Sequence, residues 1–292
     1  MEKRRLGCTE HMSTLITFGA AAFIRKSQGE ADRAMEYVLQ KGINHIDVAP
    51  EYEVAEERIG KWIETYRRDI FVGCKTLMRK SEEVHKEFHR SLERLRTDRL
   101  DLYQLHAVDT IDELEIALGS RGAIEEILKA RSQGLLKFIG ITSHSLSLLM
   151  TALKRFDFDT VMFPFNFIFY ADRRYRSDYE QLMKLVKEND VGVLVIKSIA
   201  KGNWGKKYHN MPVWELPYST WYEPFDSPKD IERSLNFVLS HNITTAVSAS
   251  DIGLMKRIVE AAERFTSMDE QNQDKLIRDA DHYRSLRFTF SQ

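Results

Sequence analysis

The chain has 292 residues, 43% of them hydrophobic and 30% charged, enough apolar material for a large buried core beneath a solvated surface. Its 43 Lys and Arg against 44 Asp and Glu leave a formal net charge of −1, which excludes a global attraction to nucleic acid or to an anionic membrane. The two cysteines, Cys8 and Cys74, form neither a CxxC pair nor a metal-ligand spacing, and read as thiols packed as small hydrophobes in a reducing cytoplasm.

Residues 1–14 open the chain and are expected to fold as a small hairpin across the floor of the domain. Lys3, Arg4 and Arg5 precede an apolar stretch over 15–24, but Glu10 and His11 interrupt it and no cleavage pattern follows, so no secretion signal is read. Short apolar runs then recur at 15–18, 45–48, 70–74, 100–105, 137–141, 160–163, 191–196 and 243–247. They are rich in Val, Ile, Leu and Phe, as fully buried parallel strands are. Amphipathic segments alternate with them. The helices are expected at 31–40, ending at Gly42; 56–66; 84–95, with Ser81 as N-cap; 123–132, ending near Gly134; 145–156; 175–189; 229–242; and 251–265. This alternation predicts a closed (β/α)8 barrel occupying 1–292 as one domain. A long loop over 203–228 follows the seventh strand and holds Trp204, Tyr208, Trp214, Tyr218, Trp221 and Tyr222. A loop of that length inside a compact domain is usually functional, and one or two of these rings are expected to line a pocket. No apolar run reaches the ~20 residues of a membrane span.

In a barrel of this kind the active site lies at the C-terminal ends of the strands. Asp47 ends the second strand, Lys75 the third and His106 the fourth; Lys197 and Ser198 end the seventh, and Ser248 and Ser250 the eighth. Taken singly, each could be an ordinary loop residue. On neighbouring strands they converge on one mouth, where a buried Asp47–Lys75 pair would be costly without a task. Tyr52 lies five residues beyond Asp47. A lysine ammonium beside it would lower the phenol pKa from its ordinary ~10 and make the hydroxyl a usable general acid.

The run Gly42-Ile43-Asn44-His45-Ile46-Asp47-Val48-Ala49-Pro50-Glu51-Tyr52, with Glu56-Glu57 and Ile59-Gly60 after it, resembles the first signature of the aldo-keto reductase family. Lys75 after Phe-Val-Gly-Cys, His106 in Asp-Leu-Tyr-Gln-Leu-His, the segment from Gly134 to Thr142 and the opening Arg5-Leu6-Gly7-Cys8-Thr9 extend the resemblance over about 5–265. The resemblance implies an NADP(H)-dependent oxidoreductase, NADP(H) rather than NAD(H), that reduces an aldehyde or ketone. Tyr52 would donate the proton, Lys75 held by Asp47 would tune it, and His106 would hydrogen-bond the carbonyl oxygen. It implies a cofactor across the barrel mouth, bordered by Gly19, Ala20, Asp47, Thr142, Ser143, Lys197, Ser198, Gly202, Ser248 and Ser250, with Lys256 and Arg257 toward a 2′-phosphate and the amides of the last helix toward a phosphate. The chain departs from the family pattern at Ser143 (Asn in many members), Met162 (near a Gln), Lys197 (an aromatic) and Ser248 (a basic residue), which marks a divergent branch.

No GxGxxG follows a strand, so the Rossmann fingerprint is missing. His85 and His89 stand four apart with Glu87 between them, one place late for the zinc HExxH motif, and no metal is assigned. His144 could edge the pocket or serve as a plain loop residue. Two other functions compete with the reductase: an NADPH-binding regulatory or scaffold protein with little turnover, and an isomerase or lyase using Lys75 as a Schiff-base amine. The partner in the leading reading is a small carbonyl compound, in the cytoplasm, with no nucleic acid and no membrane.

Overall fold

The computed structural model describes residues 1–208 and 210–283. Its eight barrel strands are β1 (Ile16–Gly19), β2 (His45–Asp47), β3 (Phe71–Thr76), β4 (Leu100–Leu105), β5 (Leu136–Thr142), β6 (Thr160–Pro164), β7 (Gly192–Ile196) and β8 (Thr245–Val247). Every neighbouring pair is parallel, and β8 pairs with both β7 and β1, so the sheet closes in chain order. Closure requires both faces of each strand to be covered, which is why the strands read as continuous apolar runs. Helices wrap the outside. Among them, Gln28–Gln40 starts at a capping box made by Ser27 and Glu30 and ends before Gly42, at φ 69°.

Several boundaries differ from expectation. The helix after β3 is Ser81–Arg94 with Lys80 as its N-cap residue; Ser81 lies inside the first turn, its amide bonded to the Arg121 carbonyl at 3.0 Å. A helix at Ile111–Leu118 was not expected. Its signal is Thr110-Ile111-Asp112-Glu113, a capping box in which Thr110 and Glu113 satisfy each other's backbone amides. The helix Glu270–Asp279, capped by Asp269, extends the fold past 265. No described helix is long and apolar enough to cross a membrane.

The opening residues form the expected hairpin, with Lys3–Arg5 antiparallel to Met12–Thr14. Its turn closes the N-terminal end of the barrel. Leu6 is fully buried against Phe71, Leu102, Met162, Leu194 and Val247, the apolar plug of the lumen. Gly7 sits at φ 52°, where a Cβ would come within 2.2 Å of the Gly192 amide, so only glycine lets the hairpin reach the start of β7. Cys74 is buried, as expected of a packed thiol, but Cys8 in this turn is exposed, its thiol 3.4 Å from the Asp159 carboxylate.

Two histidines sit in this floor. His45 on β2 is fully buried, with Nδ1 3.0 Å from the Ser13 hydroxyl, and His11 stacks on Phe71 at 4.3 Å. Burial holds both imidazoles below their ordinary value of 6.5, His11 down to about 4. The unfolded chain therefore takes up these protons first as the pH falls, so the stability they allow is complete above 6.5 and lost as the pH drops from there toward 4. Denaturant midpoints are expected to hold steady above neutrality and to fall on acidification, with a shallower fall in a His11→Asn, His45→Gln double variant. An equally steep acid limb in that variant would contradict the assignment.

Candidate active site

The sequence places a charged residue at the C-terminal end of each of three adjacent strands, and barrel closure turns all three to one mouth. Asp47 on β2 and Lys75 on β3 are both almost wholly buried. Lys75 Nζ donates to Asp47 Oδ2 at 2.5 Å, to the Val48 carbonyl at 3.3 Å and to the Tyr52 hydroxyl at 3.4 Å. From β4, Gln104 Nε2 donates to the other oxygen of Asp47 at 3.2 Å. Both carboxylate oxygens are thus occupied, the condition under which a buried ion pair is tolerated. Burial works against the Lys75 charge, but Asp47 and Tyr52 outweigh it and raise the ammonium above its ordinary range. An amine so firmly protonated is a poor Schiff-base nucleophile, which disfavours the lyase reading.

Tyr52 is half-buried at the lip of this pair. Burial pushes its phenol up to about 12, with the Lys75 ammonium pulling the other way and Asp47 and Glu51 reinforcing the rise. The expectation of a phenol lowered by lysine therefore fails in sign, because desolvation of the ring outweighs the one cation. The hydroxyl is protonated throughout the physiological range.

His106, just past β4, meets Tyr52 edge-on with ring centroids 6.2 Å apart. Its Nδ1 contacts the Glu51 carboxylate. Burial lowers the imidazole below its ordinary value, only partly offset by Glu51. Burial opposes ionisation of Glu51 as well, yet His106 more than compensates and lowers that carboxyl. An ionised Glu51 fixes the proton on Nδ1, so neutral His106 presents a lone pair at Nε2, and only the protonated ring presents an N–H there. Glu51 was not singled out from the sequence; its position beside Tyr52 was the available signal.

These groups form the floor and one wall of a cavity of about 530 Å³. Of the residues expected at a cofactor, Gly19, Asp47, Thr142, Ser143, Lys197, Ser248 and Ser250 line it. Many of their polar atoms already have roles. Thr142 Oγ1 accepts from the Ala107 amide at 2.8 Å, Ser248 Oγ from the Gly19 amide at 3.0 Å, and Ser250 donates to the Ser219 carbonyl at 2.6 Å. Ser143 donates to Asp109 at 3.0 Å, and the same carboxylate holds both the amide and Nδ1 of His144. Burial works against Asp109, but His144 and Ser143 hold it down at about 2. Asp109 is a second cavity residue that the sequence did not disclose; His144 also lines the wall. Lys197 lies in a left-handed turn at φ 60°, and burial brings its ammonium down to about 8 against the pull of Asp109.

Ala20, Ser198, Gly202, Lys256 and Arg257 do not line this cavity. Ala20 and Ser198 are buried, the latter's carbonyl accepting from Ser234 at 2.6 Å, and Gly202 lies in a short antiparallel pair, Ala200–Gly202 with Glu223–Pro224. Lys256 packs over Tyr37, and Arg257 donates to the Asp226 carbonyl at 2.7 Å. The helix they occupy, Ile252–Glu263, begins with Asp251 as N-cap, its carboxylate accepting from the Leu254 amide at 3.0 Å. An acidic cap at that terminus leaves it less suited to a phosphate than the sequence suggested. Of the aromatic loop, Trp221 and Tyr222 line the cavity, while Trp204 ties the loop to itself through the Thr220 carbonyl and Trp214 lies on Arg25.

A nicotinamide fits this lining. Met162, Ile196 and Val247 offer an apolar face for a flat ring, the Thr142 hydroxyl and the Lys197 ammonium add a neutral and a cationic donor for an amide and a phosphate, and the Ser143 oxygen adds an acceptor. A Cβ at Gly19 would come within 2.7 Å of the Ser248 carbonyl, so glycine there keeps the β1–β8 corner closely joined.

A model of the aldo/keto reductase family matches residues 15–217. The chain is 26% identical over 219 residues to an uncharacterized oxidoreductase, YqkF, of Bacillus subtilis, and equally to an L-galactose dehydrogenase of Arabidopsis thaliana; each match covers 69% of this chain and 66% of the relative. It is 31% identical over 184 residues to a D-threo-aldose 1-dehydrogenase of a Pseudomonas species, covering 50% of this chain and 55% of that one. The chain thus spans just under two thirds, or less, of these relatives' length. Among solved structures it is similar to the holo form of aldo-keto reductase AKR11C1 from Bacillus halodurans, with 25% identity, a TM-score of 0.74 and 96% of each chain covered. An aldo/keto reductase from Brucella melitensis, at 18% identity and a TM-score of 0.66 over 94% of this chain and 97% of that one, shares the fold.

Because Glu51 favours the imidazolium, Glu51→Gln is expected to lower the His106 pKa further. Ring-proton NMR titration checks this; an unchanged or raised value would remove Glu51 from the site.

Proposed function

This chain belongs to the aldo/keto reductase family, a family of oxidoreductases, and we propose that it interconverts a carbonyl compound and its alcohol with Tyr52 as the proton-transferring group. The observation that carries the reading is the Tyr52 hydroxyl at the cavity, 3.4 Å from a Lys75 ammonium that Asp47 holds at 2.5 Å. Residues 1–292 are read as one barrel domain, of which 209 and 284–292 lie outside the described residues, acting in the cytoplasm on a small molecule.

A nicotinamide, NADP(H) rather than NAD(H), supplies or accepts the hydride when bound. Thr142, Ser143, Lys197, Ser248 and Ser250 are the residues proposed to hold it, with Asp47 and Gly19 at its edge; Lys256 and Arg257 would reach only its outermost phosphate. Tyr52 binds the carbonyl oxygen through its hydroxyl and gives up the proton as negative charge develops there. Lys75 stabilises the phenolate left behind, and Asp47 with Gln104 keeps that cation fixed, so no reorganisation accompanies the transfer. His106 serves both directions. With its Nε2 protonated, it donates to the carbonyl oxygen in reduction and to the alcohol oxygen in oxidation, which leaves the alcohol's own hydrogen for Tyr52. Trp221 and Tyr222, which line the cavity, present aromatic surface to the substrate.

Two relatives are named as dehydrogenases of sugars, L-galactose and D-threo-aldose. The same proton transfer run backward serves oxidation, so a sugar is a reasonable substrate class, and both directions belong in the assay. The loss of NADPH absorbance with a panel of aldehydes, and its appearance from NADP⁺ with a panel of aldoses, tests the reading. Tyr52→Phe is expected to cut turnover at least ~100-fold while the tryptophan-fluorescence titration with NADPH is unchanged. Full turnover in that variant would overturn the assignment. Tight NADPH binding with no turnover on any carbonyl or sugar would favour the scaffold reading instead.

A further inference from the structure

On the outer surface, away from the cavity, the helices Ser81–Arg94 and Ala123–Ser132 pack side by side. His85 and His89 stand one turn apart on the first, the spacing at which side chains share a helix face. Their ring centroids are 4.5 Å apart. From the second helix, Glu126 places Oε1 2.6 Å from His85 Nδ1. Among the described residues this is the one group of three His, Cys, Asp or Glu side chains able to hold a metal, with all three ligand atoms within 4.8 Å of one another. The sequence pointed away from a metal because Glu87 falls one place late for the helical zinc motif. The fold supplies the carboxylate from another helix, and Glu87 turns instead to accept from Thr76 at 2.6 Å.

We propose that His85, His89 and Glu126 form a zinc site that clamps these two helices together. Two imidazoles and one carboxylate, with a water in the fourth position, are a favourable tetrahedral set for Zn²⁺. A tetrahedral ion about 2.1 Å from each ligand needs ligand atoms about 3.4 Å apart, so the 4.8 Å span must narrow. Glu126 is anchored by burial, whereas both histidines are exposed and free to adjust by side-chain torsion alone. The ion takes the place of the hydrogen between His85 Nδ1 and Glu126 Oε1, and His85 binds it through Nδ1 as the neutral imidazole whose hydrogen is on Nε2. Lys129, 3.2 Å from Glu126 Oε2 and 3.4 Å from Oε1, is the neighbouring cation; it lies on the same helix, is largely exposed, and keeps its contact with Oε2 when the ion takes Oε1. The clamp bears on the catalytic wall, because Glu87 of the same helix holds Thr76, the residue after Lys75.

Isothermal titration of Zn²⁺ into the full chain in chelator-free buffer tests this. One ion per chain is expected, and its binding should raise the thermal unfolding midpoint. Loss of a residue that merely orients a ligand commonly weakens metal binding 10–100-fold, so His85→Ala or His89→Ala, each losing a ligand, should weaken it by at least about tenfold and abolish the thermal shift. Glu126→Gln should weaken it too, with circular dichroism confirming that the variants are folded. Failure of the wild-type chain to take up zinc would overturn the proposal. So would uptake unchanged in a His85→Ala, His89→Ala double variant, which would put the ion elsewhere.

Discussion

The rest of the site depends on the ion pair between Lys75 and Asp47, closed at 2.5 Å inside the mouth of the barrel. Removing two charges from water costs several kcal/mol per ion, and their attraction compensates only when the remaining hydrogen-bonding capacity is met. Here Gln104 takes the second carboxylate oxygen, and the Val48 carbonyl and Tyr52 hydroxyl take the ammonium. Breaking such a pair by removing one partner costs about 3–5 kcal/mol, because a lone charge is left buried. The pair fixes a cation beside a phenol that burial alone would make a still weaker acid.

That arrangement follows from barrel closure. Asp47, Lys75 and Gln104 come from three successive strands, and parallel register brings their inward-facing side chains together: Asp47 opposite Gly73, two places before Lys75, and Lys75 opposite Gln104. At the opposite end, Leu6 and the hairpin plug the lumen, so the polar group at the mouth rests on an apolar column rather than on a water channel. A rigid floor and a polar mouth are what positioning of a reacting carbonyl requires.

Much of this was legible in the sequence. Eight buried strands announce themselves by short β-branched runs, and strand-end placement, together with the family signature, picked out Asp47, Tyr52, Lys75 and His106, which the fold brings to one cavity. What was missed lies in pairings between distant or loop residues. Asp109 matters through His144 and Ser143, and Glu126 meets His85 from another helix; no local pattern records either. Lys256 and Arg257 looked available for a phosphate because a helix face does not reveal that Tyr37 and Asp226 already engage them. The sign of the Tyr52 shift was misjudged because sequence names the nearby cation but cannot weigh it against burial of the ring.

The central claim is that the fixed Lys75 charge makes Tyr52 an effective proton donor, and replacing both members of the pair tests it without stranding a buried charge. In a Lys75→Met, Asp47→Asn double variant, carbonyl reduction at saturating NADPH should fall at least ~100-fold, with cofactor binding by tryptophan fluorescence far less affected. Turnover at the wild-type rate in that variant would contradict the account.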